Sequence, residues 1–178
     1  LHSDTHSFPT RRSSDLAGNH CIIDGENSYQ CVLNYSRIDG MEITNGNGSD
    51  GGGVNNQGVV ANCAVYGNNA TRSGGGIFNE SESRVVNCLV YDNNATYSGG
   101  GIFNYVAGSV ANCVIYGNTG GSVGGGIFNY ASGAINCIIR GNSSEDIIDY
   151  RSGQSHYCCY GTGGVAGANN ITQAPLFV

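Results

Sequence analysis

Short apolar runs alternate with glycine- and asparagine-rich stretches along most of the chain, and the alternation repeats. The segment GGGIFN begins at Gly74, Gly99 and Gly124, 25 residues apart, and Gly51–Gly53 opens a shorter copy. Behind each copy comes an apolar stretch centred on Asn-Cys, with Cys63, Cys88, Cys113 and Cys137 at steps of 25, 25 and 24. Val, Ile and Tyr fill the runs and good helix formers are scarce, so each run reads as a short strand. A fixed period of this length predicts stacked structural units, none of which buries its apolar face alone.

One unit, Gly99 to Val123, shows the expected layout. Ile102-Phe103-Asn104 is one strand, Val110-Ala111-Asn112 a second and Cys113-Val114-Ile115-Tyr116 a third, with bends between them. Three short strands per turn describe a parallel β-solenoid. The columns agree: Val60/Val85/Val110/Ala134, Val65/Val90/Ile115/Ile139 and Val54/Ile77/Ile102/Ile127 recur in register and predict continuous inner ridges. Asparagine recurs as regularly, at Asn62/Asn87/Asn112/Asn136, Asn68/Asn93/Asn118/Asn142 and Asn56/Asn79/Asn104/Asn129. Asparagine tolerates left-handed bends and its amide bonds to coils above and below, so these rows read as corner ladders. Met41 lies 22 residues before Cys63, with Ile43 matching Val65, which adds an earlier coil. Cys158 or Cys159 marks a later one. The expectation is an all-β solenoid of about six to seven coils of roughly 22–25 residues, about 30 Å long.

Residues 1–16 do not match the repeat. They hold two of the four histidines, one of two prolines and Arg11-Arg12, and they resemble a translated sequencing adapter. They are set apart as a non-native or disordered leader, and 17–178 as the repeat domain, expected to be a fragment of a longer protein. The chain has a net charge of −6 and no lysine, which argues against nucleic acid. No run approaches a membrane-spanning length.

The GGGIFN…NCxIxGN repeat, the early segment Ile38–Gly46 and the late Ala174–Val178 together resemble the right-handed parallel β-helix repeat proteins. These are pectate-lyase-like in fold and belong to secreted and surface bacterial proteins. The resemblance implies a fold and an exported or cell-surface location. It does not fix an activity, because such folds host lyases, glycosidases, adhesins and inert segments alike.

Candidate chemistry is thin. An enzyme on this scaffold needs carboxylates in equivalent columns of neighbouring coils. Asp92 instead stands among Gly67, Gly117 and Gly141, and the arginines share no column. The densest ionisable cluster is Glu145, Asp146, Asp149, Arg151 and His156, where the repeat loses its glycines. Asp146, Asp149, Arg151 and His156 are therefore the catalytic candidates, against the alternative of a terminal irregularity. Asp24 and Asp50, 26 residues apart, are candidates for a Ca2+ site on adjacent coils, against the alternative of turn capping. No other cofactor is expected. The cysteine column lacks the paired spacing of a zinc site and reads as small buried hydrophobes. Cys21, Cys31, Cys158 and Cys159 stay open as to pairing. Tyr66/Tyr91/Tyr116 and Phe78/Phe103/Phe128 form aromatic columns that either contact sugars or stabilise the sheet. Tyr66, Tyr91 and Tyr116 are the ligand candidates, with a polysaccharide or cell-surface glycan as partner. The expected function is a non-catalytic, glycan-binding or adhesive segment of an exported protein. The alternative is a piece of a polysaccharide lyase or glycoside hydrolase acting on acidic polysaccharide.

Overall fold

The computed structural model describes residues 21–151, 154–164 and 168–172. The expected leader, 1–16, and the family-like end at 174–178 lie outside the described residues. The chain winds into an all-β parallel solenoid of about six turns. Two seven-stranded sheets, one five-stranded and one four-stranded sheet run along its length.

The inner ridges follow from register. Val54, Ile77, Ile102, Ile127 and Ile147 pair in sequence across one sheet. Val60, Val85, Val110 and Ala134 do so across a second, and Ile43, Val65, Val90, Ile115 and Ile139 across a third. Every one of these side chains is fully buried. Because each coil is only three residues wide on a side, burial comes from the coils above and below rather than from within the coil.

Sulfur fills one corner of the prism. Cys21 pairs with Met41, and Met41, Cys63, Cys88, Cys113, Cys137 and Cys158 each immediately precede paired residues of one sheet. All eight cysteines are free thiols. Each thiol from Cys63 to Cys158 donates to the carbonyl two residues earlier, at 3.1–3.3 Å. The corner just before each cysteine is a left-handed residue: Asn62, Asn87, Asn112 and Asn136 have φ of 53–56°, which asparagine adopts at little cost.

Two buried amide ladders pin the coils together. Asn34, Asn56, Asn79, Asn104 and Asn129 each donate Nδ2–H to the Oδ1 of the next, at 2.7–2.9 Å. A second ladder runs Asn68, Asn93, Asn118, Asn142 at 2.9–3.0 Å. These amides also explain the glycine triplet. A Cβ on Gly76 or Gly101, its third member, would meet the Asn93 or Asn118 amide nitrogen at 2.9 Å. A Cβ on Gly100 would come within 2.3 Å of the Thr119 backbone, far inside van der Waals contact.

Candidate functional site

The five ionisable groups of the Glu145–His156 cluster go five ways. Asp146 is buried, and four N–H groups point at its carboxylate. Oδ1 accepts from the backbone and side-chain nitrogens of Asn142 at 2.9 and 3.0 Å. Oδ2 accepts from the backbone N–H of Gly161 and Thr162 at 2.7 and 3.0 Å. The register that pairs Ile127 with Ile147 sets Asp146 beside Gly126, so its carboxylate ends the second amide ladder. Asp149 pairs with Asn129 and ends the first ladder in the same way. It accepts from Asn129 Nδ2 at 2.7 Å and from the Ser155 hydroxyl and backbone N–H, both at 2.8 Å. Glu145 accepts from the Gly124 N–H at 3.3 Å. The His156 Nδ1 accepts from the Ala168 N–H at 3.0 Å, and Arg151 lies over the rings of Tyr130 and Tyr150 at 5.3 and 5.7 Å. The two carboxylates are hydrogen-bonded into the body of the solenoid and do not meet in a surface groove.

Asp24 and Asp50 do not share a column. Asp24 pairs with Thr44 and accepts from Glu26 N–H and Asn45 Nδ2, at 2.9 and 3.1 Å. Asp50 holds Arg72 at 2.9 Å and caps Ser73 N–H. Counting residues misaligned them because the early coils are shorter than the later ones. Among the described residues no group of three or more His, Cys, Asp or Glu side chains is placed to hold a metal ion.

Tyr66, Tyr91 and Tyr116 do form one outward row, in register. Their ring centroids are 4.9 and 5.2 Å apart and nearly coplanar in orientation, at 11° and 3°. The faces are thus covered by neighbouring rings, and the row presents ring edges and hydroxyls to solvent. Tyr66 donates to Glu42 at 3.1 Å. Burial, together with that carboxylate, pushes its phenol above the usual range, and burial beside Tyr116 does the same for Tyr91.

Two features escaped the sequence reading. One is an outward aliphatic row, Ala64, Leu89, Val114 and Ile138, in which the last three are 36–38% exposed. Its signal was the residue directly after each cysteine. The other is a second aromatic row, Tyr105, Tyr130 and Tyr150, with centroids 5.3 and 5.5 Å apart. It flanks the stacked Phe78, Phe103 and Phe128, and its signal was the Tyr that follows IFN in two copies. Both outer faces therefore carry apolar rows at one-coil spacing, more exposed apolar surface than isolated side chains would give.

No helix among the described residues is long and apolar enough to cross a membrane. No protein-family model, curated protein or solved structure matches the chain at the significance required.

Proposed function

We propose that the chain is a non-catalytic β-solenoid segment of an exported or surface-anchored protein, whose long outer face holds a glycan or adheres to a glycan-coated surface. The observation that carries this reading is the pairing of exposed, regularly spaced aromatic and aliphatic rows with an acid cluster committed to internal hydrogen bonds. Glycoside cleavage needs two carboxyl groups facing one scissile bond, one of them able to give up a proton. Asp146 and Asp149 each receive hydrogen bonds on both oxygens, which holds them as ladder ends. A ligand that extends along the solenoid meets the same side chains at every coil, so weak contacts add along its length.

A glycan array probed with the full chain, alongside turnover assays on pectin and alginate, tests the reading. Retention on at least one glycan class without product release is the expected result. Release of oligosaccharides by the chain would replace this reading with a lyase or hydrolase, and no retention on any glycan would leave a structural spacer.

A further inference from the structure

We infer that one particular face, bearing Asn87/Asn112/Asn136, Leu89/Val114/Ile138 and Tyr66/Tyr91/Tyr116, takes a neutral, extended β-1,4-linked glycan lying parallel to the solenoid axis, one sugar to a coil. This deepens the proposed function and rests on it. Three outward rows run side by side there. The middle one is aliphatic and exposed, with Leu89, Val114 and Ile138 pairing directly along the sheet. On one flank is the exposed corner row of asparagines, whose amides bond along the axis, as from Asn136 to Asn112 at 2.7 Å. On the other is the tyrosine row, which offers hydroxyls because its ring faces are occupied.

A β-1,4-linked chain with equatorial hydroxyls is the ligand whose chemistry mirrors this pattern. It is a flat ribbon with axial C–H groups on its faces and hydroxyls along both edges. It also advances by about one strand spacing per sugar. Laid along the axis, its apolar face covers the aliphatic row and its edge hydroxyls reach the amides and phenols. The tyrosine rings stand 4.9 and 5.2 Å apart, so each coil presents the same contacts to the next sugar.

Charge selects among glycans. Asp39 and Glu42 lie in the outward columns of Ala61 and Ala64 at one end of the face, and Asp92 follows Tyr91 at its border. The guanidinium in the tyrosine column, Arg140, sits at the far end and is held by the backbone carbonyls of Tyr160 and Thr172 at 3.1 and 3.3 Å. A uronate chain would carry its carboxylates past three of like sign, whereas a neutral chain meets no such repulsion.

Pull-down of the full chain on insoluble cellulose, insoluble chitin and immobilised polygalacturonate tests this. The expected result is retention on cellulose or chitin and not on polygalacturonate. Val114→Asp, which places a charge in the middle row, should weaken retention by about tenfold or more. Leu89→Thr, which keeps strand propensity, should weaken it less, and Tyr130→Ser on the opposite aromatic face should leave it unchanged. Circular dichroism confirms that each variant is folded, and Leu89→Thr decides should Val114→Asp fail that check. Retention on polygalacturonate alone, or loss with Tyr130→Ser and not with the middle-row variants, overturns this inference while leaving glycan contact standing. Absence of retention on every glycan of the array removes the underlying reading as well.

Discussion

Each buried thiol of the sulfur row is held in its neutral form. Cys88 is pushed up to about 12 because it donates to the thiol of Cys113, with burial adding to this. Cys113 is pushed equally far through Cys137, and Cys31 reaches about 12 chiefly through burial. At the end of the row the direction reverses: Cys158 is lowered, since it receives the hydrogen bond of Cys137. In the unfolded chain a thiol ionises near its ordinary value of 9.0. Above that pH the unfolded state holds fewer protons than the native one, so stability falls as pH rises. Below pH 9 the contribution is fully present, and between 9 and about 12 it is lost at about 1.4 kcal/mol per pH unit for each such thiol. Denaturant midpoints measured across this range should decline steeply, and Cys113→Ala should shallow the slope. An identical slope in that variant would mean that the row is open to solvent. The cysteine column was readable beforehand because its period is constant. Met41 could be placed in it by counting back from Cys63, and the strand register bears that out.

The amide ladders belong to the scale of the element, because no single rung would be stable alone. A buried amide without a partner costs about 1–3 kcal/mol, and here each one satisfies the coil on either side. Both ladders run in one direction, donor toward the C-terminal coil, and both finish on a carboxylate, which accepts and cannot donate. Asp146→Asn keeps the shape but points an NH2 group at the N–H of Gly161 and Thr162, two donors with no remaining acceptor. A loss of about 2 kcal/mol is expected, localised to the last coil. Hydrogen exchange at Gly161 and Thr162 should accelerate while Val90 and Ile115 stay protected, and an unchanged pattern would show that those amides have other partners. These ladder ends were not legible in the sequence. The triplet that marks each coil vanishes after Gly126, so Asp146 and Asp149 looked like a cluster of free charges rather than the next members of two known columns. The outward aliphatic row was hidden for a different reason. Leu89-Val90-Tyr91 and Val114-Ile115-Tyr116 are apolar on both sides, and strands without alternation do not announce which side faces out.

At the scale of the whole molecule the solenoid is nearly one-dimensional, since its strands pair only with those of the coils before and after. Local openings should therefore start at the ends and travel inward. Exchange mapped along the chain is expected to give greatest protection around Val90 to Ile127, with a gradual fall toward Ile23 and Tyr160. A single uniform opening energy from end to end would instead indicate an all-or-none transition. The shared direction of the two amide ladders carries one more implication, for how such an array grows. Every interior 25-residue module accepts a proton from its predecessor and offers one to its successor, so a duplicated Gly74–Ser98 module spliced in behind the original would be read through without a fault. The module that finishes in Asp146 and Asp149 has nothing to hand on. Lengthening this protein by gene duplication is open anywhere in its middle and closed at that terminus.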